Sequence, residues 1–346
     1  MFRQFFDATS STYTYLLADP HTRRAILIDP VAEQVERELT TLDELGLTLA
    51  WVVETHVHAD HVTAASLLRD ATGCRVAYPD SGEVEGADRL LAHGDVLEEG
   101  SVQLEVRHTP GHTSGSASYV DHSSERVFTG DTLLIRGCGR TDFQGGDART
   151  LYRSVHEQLF SLPDGFLVYP GHDYTGRLVS TIGEEKRFNP RLQVSSADEY
   201  ADIMDNLNLD NPKMMDVAVP ANQVIGAEQG LEKHEPWALT VDQVNGQCGD
   251  GACVLVDLRE DPERAANGVI PGSVHAPYLR LDRFVKPGGM LREMVERDGK
   301  RLIYYCAYGE RSALAVQTSQ GMGIKSVSHL VGGIDAWAKA GGSLET

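Results

Sequence analysis

His56-Val57-His58-Ala59-Asp60-His61 stands directly behind Trp51-Val52-Val53-Glu54, a run of aromatic and β-branched residues that reads as a buried strand. Three imidazoles and a carboxylate within six residues are costly to crowd together unless a cation offsets their repulsion and desolvation. The stretch therefore points to a metal site at the end of a strand.

Working outward, the same strand-then-loop setting returns three times. His112 lies in Thr109-Pro110-Gly111-His112-Thr113, Asp131 in Thr129-Gly130-Asp131, and His172 in Tyr169-Pro170-Gly171-His172-Asp173. Strands are expected over Ala25 to Ile28, Val102 to Arg107, Ser116 to Val120 and Leu167 to Tyr169, with helices over Val62 to Asp70 and Leu151 to Leu162. A single histidine is more often a surface or hydrogen-bonded core residue than a ligand. The ordered set carries the signal, because loops held on a rigid strand scaffold can aim several side chains at one point. The site is expected along one edge of the sheets.

The chain has 346 residues, which suits two α/β domains rather than one core. Its 51 acidic against 31 basic residues give a net charge of -20, and no Lys/Arg-rich tract interrupts that field, so nucleic acid and anionic membrane are not expected partners. Cys74, Cys138, Cys248, Cys253 and Cys306 are odd in number and irregularly spaced, unlike a disulfide framework, and suit a reducing compartment. The start, Met1 to Thr12, has no apolar stretch of the signal-peptide kind, and no apolar run is long enough for a bilayer. A bacterial cytoplasm is the expected location.

Between Ser195 and Glu235 a helix is expected over Ala197 to Leu207, then breaks at Asn211-Pro212 and Val219-Pro220, with a domain boundary near residue 230. Beyond it, Ala252 to Asp257 and Arg301 to Tyr305 read as strands, and Ser312 to Gln320 and Ile334 to Ala340 as helices. Arg301 to Tyr305 ends in Cys306-Ala307-Tyr308-Gly309-Glu310-Arg311-Ser312, where backbone N–H groups and a helix N-terminus should converge on sulfur and favour its thiolate. A lone cysteine after a strand is usually a small buried hydrophobe. Here Gly309 and Arg311 make the loop specific. Cys306 and Arg311 enclose four residues, one fewer than in cysteine-dependent phosphatases, and the tighter ring suits sulfur transfer.

The order of motifs over residues 1–226 resembles the metallo-β-lactamase fold, an αββα sandwich whose sheets meet along a metal-carrying edge. Ile135-Arg136-Gly137-Cys138-Gly139-Arg140-Thr141-Asp142-Phe143-Gln144, His172-Asp173-Tyr174 and Asn189-Pro190-Arg191-Leu192 are similar to the persulfide dioxygenases of that superfamily. The resemblance implies one Fe(II) per chain, held by His56, His112 and Asp131, with His58, Asp60, His61 and His172 as neighbours that orient the ligands. It implies oxidation of glutathione persulfide by O2 to sulfite and glutathione, and it places Arg140 and Tyr174 against glutathione. A two-histidine, one-carboxylate face leaves open positions that such chemistry needs. Cys138, between two glycines, has no activating base in sequence and is read as packing or turn.

The Cys306 loop, with Leu255-Val256-Asp257-Leu258-Arg259-Glu260, Gly268-Val269-Ile270-Pro271-Gly272-Ser273-Val274-His275 and Val331-Gly332-Gly333-Ile334-Asp335-Ala336-Trp337, resembles a single α/β rhodanese domain over residues 236–346, after a linker at 227–235. That resemblance makes Cys306 the nucleophile that becomes a persulfide, with Ala307, Tyr308, Gly309, Glu310 and Arg311 around it and Asp257 and Arg259 as supports. Thiosulfate plus glutathione would interconvert with glutathione persulfide plus sulfite. Two other readings stand beside this one: a dizinc thioester hydrolase of glyoxalase II type, and a sulfur carrier or sensor in which Cys306 holds persulfide for a partner. A homodimer is the default assembly.

Overall fold

The computed structural model describes residues 1–82, 84–207, 215–225, 237–247 and 251–345. The chain divides into two compact units, Met1–Gly226 and Ala227–Thr346. The expected linker and boundary at 227–235 lie outside the described residues, as does Asn211-Pro212.

The first unit opens with β1 (Phe2–Asp7), β2 (Thr12–Ala18), β3 (Arg24–Ile28), β4 (Thr48–Val53), β5 (Arg75–Pro79) and β6 (Arg89–Leu91), which form one six-stranded sheet in that order. The strands β7 (Val96–Glu99), β8 (Val102–His108), β9 (Ala117–Asp121), β10 (Arg126–Gly130), β11 (Leu167–Pro170) and β12 (Ser180–Thr181) form a second. Alternation along each strand explains why the sheets stack. Tyr13, Tyr15 and Leu17 of β2 and Ile26 and Ile28 of β3 meet Leu104 and Val106 of β8, Tyr119 of β9 and Phe128 of β10 in one shared core. The next residues along, Val120, Val127 and Val168, face the other way into a second core.

That outer core is closed by α3 (Ala148–Arg153), α4 (Ile182–Phe188) and α5 (Ala197–Asp205), through Leu151, Ile182, Tyr200 and Met204. On the far side α1 (Val35–Glu44) and α2 (Ala65–Thr72) pack together, and α2 lies on β4 and β5. The order helix, sheet, sheet, helix is thus the αββα sandwich. One expectation is corrected: Val219-Pro220 is no break but lies inside α6 (Met215–Gln223). Proline costs a helix interior about 3 kcal/mol, yet Ala218 and Asn222 are wholly buried, so tertiary contacts hold the helix against its local preference.

In the second unit β13 (Ala238–Leu239), β14 (Cys253–Asp257), β15 (Val274–His275), β16 (Arg301–Tyr305) and β17 (Val327–Leu330) form a parallel sheet in the order β13-β17-β16-β14-β15. The connections carry α7 (Val241–Gln247), α8 (Asp261–Asn267), α9 (Leu281–Val285), α10 (Met290–Glu296), α11 (Glu310–Gly321) and α12 (Gly333–Lys339). Parallel strands need such crossovers, and both faces of the sheet are then covered. Among the described residues no helix is long and apolar enough to cross a membrane.

Candidate metal centre and sulfur loop

The first unit brings its histidines and aspartates together at the C-terminal ends of strands. The His56–His61 loop leaves β4, His112 follows β8, Asp131 directly follows β10 and His172 follows β11. His56, His112 and Asp131 each offer a ligand atom, and these atoms lie within 4.8 Å of one another. All three residues are buried.

Their hydrogen bonds prepare them to bind a cation. His112 Nδ1–H donates to the Arg140 carbonyl at 2.7 Å, which leaves the Nε2 lone pair free to coordinate. The contact requires Gly139, because a Cβ there would fall 2.7 Å from His112 Nδ1 and 2.5 Å from the Asp131 carbonyl oxygen. Thr55 Oγ1 donates to Asp29 Oδ2 at 2.8 Å, so its oxygen accepts from His56 Nδ1–H at 2.9 Å, and His56 Nε2 is likewise left as a lone pair. Burial pushes both imidazoles below their ordinary value, His56 strongly so, and keeps them neutral. Burial would raise the Asp131 carboxyl, but His172, His112 and His56 together hold it well below the usual carboxylate range. Two neutral imidazoles and one carboxylate are a donor set that fits a divalent transition metal.

Asp131 is divided between two tasks. Its Oδ1 accepts from His172 Nδ1 at 2.6 Å, while Oδ2 turns toward His112 Nε2 at 3.6 Å. His172 in turn gives Nε2 to Asp60 Oδ2 at 2.9 Å. Burial opposes charge on His172, but the flanking Asp131 and Asp60 raise its pKa well above the ordinary value.

His58 faces elsewhere. Its Nε2 lies 3.2 Å from Asp29 Oδ1 and 3.5 Å from Glu54 Oε2, a buried ion pair without hydrogen-bond alignment. Burial works against the charge, and Asp29 and Glu54 overcome it, pushing His58 up to about 10. His61 Nδ1 contacts Asp60 Oδ2 at 3.0 Å and Thr12 Oγ1 at 3.3 Å, and its buried Nε2 has no hydrogen-bond partner among the described residues. His58, Asp60, His61 and His172 form a second group whose ligand atoms also lie within 4.8 Å.

A cleft of about 360 Å³ opens over His56, His112, Asp131, Asp60 and His172. Four arginines, Arg136, Arg140, Arg177 and Arg191, are among its lining residues, and Arg136 is paired with Glu184 and Glu185. Arg140 holds Asp142 by two 2.6 Å bonds and lies over the Phe143 ring, 4.9 Å from its centroid. Tyr174 stands on the rim, 71 % exposed, stacked parallel on His172 at 6.2 Å. Cys138 is buried in the helix-side core, where burial pushes its thiol up to about 11, so it is packing.

In the second unit Cys306 sits at the end of β16 against the start of α11, wholly buried. The Gly309 N–H donates to Sγ at 3.1 Å. Gly309 has φ 119°, a turn that favours glycine and aims this N–H inward. Arg311 is paired with a carboxylate of its own unit. Its guanidinium grips Glu263 through bonds of 3.0 and 2.6 Å, which ties the loop to α8. Asp257 and Arg259 form a fully buried pair that also receives Tyr305 Oη at 2.9 Å, a support beneath the sheet's end.

The family model of the metallo-beta-lactamase superfamily matches residues 8–172, and that of the rhodanese-like domain residues 240–340. The mitochondrial persulfide dioxygenase ETHE1 of Homo sapiens is 48% identical over 229 residues, covering 66% of this chain and 89% of that protein, and the Mus musculus enzyme matches to the same extent. The crystal structure of ETHE1 from Myxococcus xanthus superposes with a TM-score of 0.63 at 54% identity, covering 64% of this chain and 98% of that one. The chain belongs to the persulfide dioxygenase family. A rhodanese domain follows its metallo-β-lactamase domain.

Several residues of the persulfide dioxygenase domain escape a reading of the sequence. Asn222 of α6 donates to the carbonyls of His58 and His61 at 3.0 and 2.9 Å and accepts from Thr63 N at 2.9 Å, so it clamps the whole His56–His61 loop from more than 150 residues away. Asp29, at φ 51°, accepts from Thr55 N at 2.7 Å and sets the Thr55–His56 bond. The only local signal is Asp29-Pro30 behind a strand, and for Asn222 there is none.

Proposed function

We propose that the persulfide dioxygenase domain, residues 1–226, oxidises the terminal sulfur of glutathione persulfide to sulfite at one iron(II) held by His56, His112 and Asp131. The observation that carries this is the convergence of two neutral imidazoles and one ionised carboxylate beneath a cleft. Iron(II) bound there would supply the redox chemistry that O2 requires. The reaction balances as GSSH plus O2 plus H2O giving GSH, sulfite and two protons. The chain's own part is to bind, orient and hold protons. The Arg140 carbonyl and Thr55 hydroxyl fix which nitrogen of His112 and of His56 faces the cation. His172, between Asp131 and Asp60, fixes the carboxylate that must face it. Arg140 can exchange Asp142 for a substrate carboxylate, since a guanidinium fork matches either. Tyr174 offers an exposed ring and hydroxyl beside it.

The rhodanese domain, residues 236–346, would supply the persulfide. The Cys306 thiolate attacks the outer sulfur of thiosulfate, the S–S bond breaks and sulfite leaves with the electron pair. Glutathione thiolate then takes the terminal sulfur from the Cys306 persulfide, which restores the cysteine thiolate. The Arg311–Glu263 pair favours this over phosphate chemistry, because the guanidinium is engaged with a carboxylate.

Oxygen uptake by iron-loaded protein on addition of glutathione persulfide, matched by sulfite, tests the reaction class. Absence of uptake overturns it. A second reading, the dizinc thioester hydrolase, is favoured by the second group formed by His58, Asp60, His61 and His172. Metal analysis separates the two readings, one iron per chain against two zinc.

A further inference from the structure

The surroundings of Cys306 contain a polar chain that the sulfur-transfer reading does not use. Ser312 lies in the first turn of α11, and its Oγ is 3.9 Å from Cys306 Sγ, 2.6 Å from the Gly309 carbonyl and 3.0 Å from His329 Nδ1. Cys306, Ser312 and His329 are all fully buried. His329 stands on β17 opposite Tyr304, beside the strand that delivers Cys306.

Donor and acceptor arithmetic sets the protons. A hydroxyl has one proton and two lone pairs, and a carbonyl can only accept. Ser312 therefore donates to Gly309 O at rest. His329 must then be the donor, with its proton on Nδ1, and the Cys306 thiol gives its own proton to the remaining lone pair. Loss of the thiol proton inverts the last contact, because a Ser312 lone pair would face a thiolate. Rotation of the hydroxyl away from Gly309 O lets it donate to Sγ instead, and the bond from His329 makes it a stronger donor.

We infer that Ser312 is a hydroxyl switch, polarised by His329, that stabilises the Cys306 thiolate alongside the Gly309 N–H; both are positioning residues for sulfur transfer. The inference rests on the reading that Cys306 is the nucleophile. Where that reading fails, Cys306→Ser retains thiosulfate transfer, yet the test below still reads the coupling.

The test is a pH titration of thiolate ultraviolet absorbance in the full chain, with Cys306→Ser subtracted to remove the other cysteines. Ser312→Ala is expected to raise the Cys306 midpoint by on the order of one pKa unit, the size of one hydrogen bond to a charged group. Ser312→Thr, which keeps the hydroxyl, should restore it. His329→Asn, which keeps a donor in place of Nδ1, should titrate near wild type, whereas His329→Leu should move upward. A merely structural role would lower thermal stability and leave every midpoint in place. An unmoved midpoint in Ser312→Ala overturns the proposal; if that variant does not fold, equal midpoints in His329→Leu and His329→Asn do so.

Discussion

Glu38, on α1, is 1 % exposed, and its Oε2 has no hydrogen-bond partner among the described residues, while Arg37 donates to Oε1. Burial outweighs the Arg37 charge and raises this carboxyl from 4.5 to about 7. A carboxyl that is a weaker acid in the fold than in the unfolded chain makes its full favourable contribution below 4.5 and loses it as the pH rises through 7. Glu38→Gln should therefore gain stability over wild type as the pH rises, by on the order of 2–3 kcal/mol above neutrality. Urea unfolding at about pH 5 and about pH 8 measures it. An equal difference at both would show that Glu38 stays ionised throughout.

The residue scale also shows what the sequence reveals. His56, His112, Asp131 and His172 are legible because their chemistry is rare and each stands behind an apolar run. Cys306 is legible through Gly309 and Arg311. Asp29, Asn222, Glu263, Ser312 and His329 are common residue types whose partners lie elsewhere in the chain, so nothing local marks them. The turning of His58 toward Asp29 and Glu54 is of this kind: the motif shows three histidines, and only the packing shows which way each one faces.

At the scale of the element, α6 acts through one side chain. Asn222→Ala would leave the buried His58 and His61 carbonyls and the Thr63 N–H without this partner. Each unmet buried group costs roughly 1–3 kcal/mol, so a loss of about 2 kcal/mol or more is expected, together with faster metal loss on dialysis. Unchanged metal retention would mean that the loop holds its shape without α6. The Pro220 within this helix follows the same logic. The turn chemistry of Val219-Pro220 is a fair local signal, but buried Ala218 and Asn222 override it. The strand expected over Ala25 to Ile28 was more legible than this helix because two buried faces leave an unbroken apolar run, and all four of those residues are buried.

At the scale of the whole molecule, the two proposed chemistries fall in separate units. His112→Ala should abolish iron binding and oxygen uptake while thiosulfate transfer continues. Cys306→Ser should stop thiosulfate transfer while oxygen uptake with added persulfide continues. Joint loss in either variant, with both proteins folded, would show that the sites do not work independently.

The strand order of the rhodanese domain has a further consequence for synthesis. The strand β13 opens the domain yet pairs with β17, and Val269 pairs with Glu345. A growing chain cannot seat its 238–239 strand until residues 327–330 have left the ribosome, whereas all twelve strands of the preceding sandwich are already available to pair. The cluster of His56, His112 and Asp131 can thus be assembled while Cys306 still lies on an unfinished sheet, so the metallo-β-lactamase domain can mature before the rhodanese domain that follows it.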